Sequence, residues 1–301
     1  MTRGSLKERI KQGLFLLDGA MGTQLLARGI EVGKCNDNLN IESPDVVFDI
    51  HSAYLAAGSD AVLTNTFGAN KYALGRHGLA DEVAKINGAG GQIARRAAGQ
   101  EKYVLGDIGP SGDFLQPLGD LKPEELKAAF SEQAKTLMDC GVDGFIIETM
   151  TALEEASIAI EAVRSVSGGL PIFASMAFDK AGDGFRTMMG VDVQTAVSKM
   201  VSHRVDAAGF NCGTVSLEGY VELAEEFFSA VQALSDDVVV YAEPNAGKPE
   251  LVEGKAVYKV SPEDFAAALE SIHSVGINII GGCCGTSPAH IEAVTRTLQR
   301  S

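Results

Sequence analysis

Three cysteines carry the most specific chemical signal in the sequence: Cys212, in GFNCG, and the adjacent pair Cys283 and Cys284, in GGCCGTSP. Three thiolates with one open position make a catalytic zinc site, whereas a closed structural site normally takes a fourth protein ligand. Neighbouring strand residues point to opposite faces. Both sulfurs of the pair can therefore reach one ion only if the backbone leaves strand geometry, as Gly281, Gly282 and Gly285 permit. The pair alone would equally suit plain apolar packing, and it is Cys212 that turns the reading towards a metal. Zinc on three thiolates is electron-rich, a poor activator of water but a good holder of an incoming thiol as thiolate near neutral pH. No Ser/His/Asp or Cys/His arrangement stands near these residues, so alkyl transfer to a thiol fits the inventory. Cys35, in an expected loop, and Cys140, at an expected helix end, lack such company and read as structural.

Something must bring position 212 to positions 283 and 284. Eight short apolar runs recur along the chain: 14–20 (LFLLDGA), 61–67 (AVLTNTF), 103–109 (YVLGDIG), 144–150 (GFIIETM), 172–178 (IFASMAF), 207–212 (AAGFNC), 238–245 (VVVYAEPN) and 278–284 (NIIGGCC). Runs that are apolar throughout suit parallel strands covered on both faces, and each interval leaves room for a crossover helix. Ser43-Pro44, Ser261-Pro262 and Ser287-Pro288 predict helix starts with a capping hydroxyl before proline. Residues 123–141 predict an outer helix with Leu126, Ala129, Phe130, Ala134, Leu137 and Met138 on its buried stripe. His273 and His290 fall in the helices flanking the last run, as capping or solvated residues. Eight strand-helix units without a composition break predict one (β/α)8 barrel domain over residues 1–301. The irregular stretches 29–40, 111–121 and 247–260 each follow a strand or its first turn, where barrel active-site loops sit.

In such a barrel the strand ends converge on one face. Here they carry Asp18-Gly19-Ala20, Asn65-Thr66, Asp107, Glu148-Thr149, Ser175, Asn211-Cys212, Glu243-Pro244-Asn245 and Gly281 to Cys284. One such group is ordinarily a satisfied structural one; recurrence at nearly every unit describes a binding site. Cys212 ends the sixth run and the pair ends the eighth, so a single strand separates them.

Composition sets outer limits. The 301 residues are 46% hydrophobic and 22% charged, with a formal charge of −15 that repels nucleic acid and anionic membranes. No apolar stretch reaches the roughly 20 residues of a membrane span, and MTRGSLKERIKQG lacks a signal-peptide core. Five cysteines, an odd number, fit reduced thiols and a cytoplasmic setting better than a disulfide framework.

DGAMGTQL at 18–25, GFNCG at 209–213, PNAGKP at 244–249 and GGCCGTSP at 281–288 resemble the homocysteine S-methyltransferase family, over essentially the whole chain. The resemblance implies a (β/α)8 barrel, zinc on Cys212, Cys283 and Cys284, and methylation of homocysteine to methionine. DGAMGT is most similar to the homocysteine-binding module of cobalamin-dependent methionine synthases, where betaine- and S-methylmethionine-using relatives tend to read DGG. The implied donor is methylcobalamin on another domain or protein. The sequence stops at Ser301, which implies an excised module or a free-standing relative with a separate corrinoid partner.

Motif positions carry roles over from that resemblance. Asp18, Gly19, Ala20, Met21, Gly22 and Thr23 form the substrate loop, whose backbone amides can receive the amino acid's carboxylate. Glu148 suits the substrate ammonium. Asn211 and Asn245 orient loops or contact substrate, and Ser175 is a further substrate-side candidate. Four functions stay open: methyl transfer from a corrinoid, another zinc-thiol alkyl transfer with a different acceptor or a simple donor such as S-methylmethionine or betaine, a zinc module that only presents the thiol, and a structural or redox-sensing zinc site.

Overall fold

The computed structural model describes residues 3–248, 250–252 and 255–299. Each apolar run becomes a parallel strand: β1 (Phe15–Leu16), β2 (Ala61–Leu63), β3 (Tyr103–Ile108), β4 (Gly144–Met150), β5 (Ile172–Met176), β6 (Ala207–Asn211), β7 (Val239–Glu243) and β8 (Ile279–Ile280). They form one sheet in the order β1-β8-β7-β6-β5-β4-β3-β2. The two ends of that order meet through other bonds. Asp60 N donates to Leu16 O at 2.7 Å, and Leu63 N donates to the Asp18 carboxylate at 3.1 Å. A nearly closed (β/α)8 barrel results, with an outer helix after every strand: Pro44–Ala56, Val83–Ala98, Pro123–Asp139, Leu153–Val166, Val193–Ser202, Leu217–Gln232, Pro262–Ser274 and Pro288–Leu298.

Burial on both strand faces explains why the runs do not alternate with polar residues. Phe15, Leu17, Tyr103, Leu105, Ile146, Phe173, Tyr241 and Ile279 fill the barrel interior, where the Phe15–Tyr103 and Phe173–Tyr241 rings pack with centroids 5.7 and 5.5 Å apart. Their neighbours Leu16, Val104, Phe145, Ile147, Ile172 and Ala174 face outward against the helices. Leu6 and Ile10, from the N-terminal segment, plug the bottom of the interior. The top face is left for the strand-end polar groups.

Helix details correct parts of the sequence reading. All three Ser-Pro pairs open helices, but only Ser261 caps with its hydroxyl, which accepts from Asp264 N at 3.1 Å. Ser43 makes no capping bond, and Ser287 Oγ instead meets His290 Nδ1 at 2.8 Å. On Pro123–Asp139 the predicted stripe is buried except for Met138, which is 37% exposed. Gln133 is buried instead, because its Nε2 donates to Thr66 O at 2.7 Å. Two three-residue hairpins were not predicted: Asp179–Ala181 with Gly184–Arg186, and Glu250–Val252 with Lys255–Val257. Pieces this short are below the length at which alternation can be read. Pro249 of PNAGKP, Glu253 and Gly254 of the 247–260 stretch, and the terminal residues 1, 2, 300 and 301 lie outside the described residues.

His51, on the first outer helix, is fully buried with neither ring nitrogen partnered. Burial pushes its pKa down to about 4, so at neutral pH it is an uncharged plate in the core. Among the described residues no helix is long and apolar enough to cross a membrane.

Candidate metal and thiol site

Cys212 follows β6 directly, Cys283 and Cys284 follow β8, and only β7 lies between. Cys212 takes φ +55°, unusual for a non-glycine residue, which turns its side chain out of the strand direction. Beyond Ile280 the chain leaves the sheet and is pinned on both sides. Gly282 N donates to Asp18 O at 2.9 Å, Cys283 N to Pro244 O at 2.8 Å, and Ala246 N to Cys284 O at 2.9 Å. Gly285 closes this turn at φ +83°, and a Cβ there would fall 2.2 Å from the Tyr258 ring. The three sulfurs consequently all lie within 4.8 Å of one another.

That spacing accepts a tetrahedral ion. Three atoms no more than 4.8 Å apart fit within about 2.8 Å of a common centre, and closing by about half an ångström reaches a zinc–sulfur bond of about 2.3 Å. Charge points the same way. Hydrogen bonds from Cys212 and Cys283 pull the Cys284 thiol down to about 3. At Cys212 the bond with Cys283 lowers the pKa, but the bond with Cys284 and burial outweigh it and push the thiol up to about 11. Cys283 is pushed up by its bonds to both neighbours and by burial. Left to themselves the three sulfurs share one negative charge; a divalent cation would let all three ionise.

The cluster forms one wall of a cavity of about 410 Å³ at the top of the barrel. Asp18, Gly19, Ala20, Met21, Gly22, Thr23 and Glu148, all named from the sequence, line it too. The predicted loop is in fact two pieces: Asp18 to Ala20 are irregular, and a helix runs over Met21–Ala27, so the amides of 21–23 are the unpaired donors of a first turn. Thr23 Oγ1 is buried without a partner. Ala20 N is already taken by Thr286 Oγ1 at 3.0 Å. Asp18, besides lining the cavity, bridges β1 to β2.

Ser175, Asn211 and Asn245 do not line the cavity; they lie behind its wall. Ser175 Oγ donates to Asn211 Oδ1 at 2.8 Å, and Asn211 Nδ2 donates to Glu148 Oε2. Asn245 Nδ2 donates to Gly213 O at 2.6 Å and lies 4.0 Å from Cys212 Sγ. His273 and His290 are outside the cluster: His273 Nδ1 meets Ile277 O at 3.0 Å, and His290 Nε2 meets Val260 O at 3.1 Å. Cys35 lies 3.9 Å from Asp37 Oδ2, and Cys140 Sγ 3.5 Å from Gly88 O, both away from the other thiols.

Asp37, Asp107 and Glu243 join Asp18 and Glu148 in the cavity, and were not selected as site residues from the sequence. Asp107 and Glu243 were visible as strand-end acids; Asp37 lies within the 29–40 stretch expected to be an active-site loop, beyond the helix Met21–Ala27, but nothing local marks it out there. Burial raises the pKa of all five, Asp37 to about 6 and Glu148 to about 7. Asp107 Oδ1 and Glu243 Oε2 are buried with no partner. Among the described lining residues none is basic. A cavity with five acids, two orphaned carboxylate oxygens and three thiols is built for a ligand that brings positive charge.

A family model described as homocysteine S-methyltransferase matches residues 15–298. The chain belongs to the homocysteine S-methyltransferase family. Among curated relatives of this family member, methionine synthase of Mycobacterium tuberculosis (strain ATCC 25618 / H37Rv) is 35% identical over 97% of the chain, and that of Mycobacterium leprae (strain TN) is 34% identical over 98%. The chain spans 25% of the length of each. The metallated form of the homocysteine methyltransferase MmuM from Escherichia coli superposes with a TM-score of 0.76 at 24% identity, covering 97% of both chains. That likeness confirms the barrel fold.

Proposed function

We propose that this homocysteine S-methyltransferase barrel holds one zinc ion on Cys212, Cys283 and Cys284 and methylates homocysteine to methionine, with methylcobalamin on a partner domain or protein as the donor. The observation that carries the reading is the meeting of three sulfurs, from positions 71 and 72 residues apart in sequence, within 4.8 Å at the edge of an acidic cavity. When bound there, zinc would supply a Lewis acid that holds an incoming thiol as thiolate near neutral pH.

The chain's own residues supply the rest. Glu148 and the neighbouring acids receive the substrate ammonium, whose charge lets buried carboxylates ionise at neutral pH. With no basic residue among the described lining residues, the substrate carboxylate falls to the free amides of residues 21–23 and to the unpartnered Thr23 hydroxyl. Walls at both ends of the amino acid fix its sulfur towards the cysteine turn, and the methyl donor approaches from the strand-end face of the barrel. The similarity to a quarter-length segment of methionine synthases favours a corrinoid donor over S-methylmethionine or betaine.

A donor assay tests this. Purified zinc-loaded chain is expected to form methionine from homocysteine and methylcobalamin, slowly without a corrinoid protein, and to stop after exhaustive chelation. Turnover with S-methylmethionine or betaine but not methylcobalamin would move the chain to the simple-donor branch. Full activity after metal stripping would end the zinc reading.

A further inference from the structure

Asn211, the last residue of β6, is fully buried between the sulfur cluster and the acidic side of the cavity. Its amide has only one way round. Thr149 N donates to Oδ1 at 2.8 Å, and a backbone N–H cannot accept, so the oxygen must face Thr149 and Ser175, whose hydroxyl donates to the same atom at 2.8 Å. Nδ2 is thereby aimed at Glu148 Oε2 and at Thr149 Oγ1, 2.7 Å away, with Cys283 Sγ at 3.8 Å. Thr149 Oγ1 passes the chain on by donating to Glu148 Oε2 at 3.2 Å. Thr149 itself is held at φ +59°, which a β-branched residue adopts only when its surroundings impose it. Both its N–H and its hydroxyl are engaged by the one amide.

Two donors thus converge on a single oxygen of Glu148, whose carboxyl also interacts with the neighbouring Asp107. We infer that Asn211 is a positioning residue that locks the Glu148 carboxylate for the substrate ammonium and holds it at a set distance from the Cys283 sulfur. The inference rests on the proposed assignment of the ammonium to Glu148. Without these bonds the carboxyl would be held on that side by Asp107 alone and free to swing away from the ligand. With them, the spacing between ammonium pocket and sulfur cluster becomes a ruler for an amino acid thiol.

The test compares homocysteine with 4-mercaptobutanoate, which keeps the carbon chain, thiol and carboxylate and lacks the amino group. Dissociation constants are measured on zinc-loaded wild type, Asn211→Ala and Ser175→Ala, with zinc content read in parallel. Wild type is expected to prefer homocysteine by about tenfold or more, the scale of a hydrogen-bonded ammonium–carboxylate contact. Asn211→Ala should bring that preference close to one while zinc stays bound. Ser175→Ala, which removes one of the two donors on Oδ1 and leaves Thr149 N as the amide's remaining anchor, should lower it a few-fold, and it decides the matter if Asn211→Ala does not fold. A preference that survives in both variants would overturn the inference, as would equal loss of affinity for the two thiols. A wild type that binds both thiols equally would sink the Glu148 assignment and this role with it. A wild type that binds neither would sink the proposed function itself.

Discussion

Replacing Cys283 with alanine is expected to take zinc from about one ion per chain to near none and to lower methyl transfer by more than about 100-fold. Even a change in a ligand's outer partner commonly costs 10–100-fold in affinity or activity, and this substitution removes a ligand itself. Its backbone is bonded on both sides, with Cys283 N on Pro244 O and Cys283 O accepting from Thr286 Oγ1 at 2.7 Å. Alanine can keep those backbone bonds, so the fold should survive and the loss should register at the metal. Inductively coupled plasma measurement of the purified variant checks this, and full zinc retention would remove Cys283 from the site.

Glu148→Gln is expected to lower kcat/KM for homocysteine by about 10- to 100-fold, chiefly through KM, because a bond between charged groups is replaced by a neutral one. Glutamine is the informative change. Its carbonyl oxygen can keep the bond from Asn211 Nδ2, which leaves its NH₂ facing the ammonium pocket, where a donor is the wrong partner. Binding of 4-mercaptobutanoate should change little. Steady-state kinetics that show kcat falling with KM untouched would place Glu148 in the transfer step and take the ammonium away from it.

Legibility in the sequence followed the range of the interactions involved. Strands buried on both faces leave continuous apolar runs, so all eight barrel strands could be read, and with them the convergence of Cys212 on Cys283 and Cys284. The glycines around the pair announced a departure from strand geometry, and the chain does leave the sheet after Ile280. What the turn is pinned to, Asp18 O, Pro244 O and Ala246 N, is long-range backbone contact with no side-chain signature. The same holds for Asn211. Its bonds run to β4, β5 and the turn after β8, so whether it faces substrate or scaffold depends on the register of three strands. Asp107 and Glu243 stood in plain sight at strand ends, but which acids keep an unpartnered oxygen is a property of the packed cavity alone. Asp37 reaches the cavity because Gly68 N donates to its Oδ1 at 2.9 Å, a loop-to-loop contact that no local pattern encodes.

Zinc-edge X-ray absorption of the metal-loaded chain, recorded with and without saturating homocysteine, addresses the site most directly. Three cysteine sulfurs and one lighter atom are predicted around the ion in the free protein, and four sulfurs once the amino acid thiol is added. A sulfur count that stays the same while homocysteine is demonstrably bound would contradict the account.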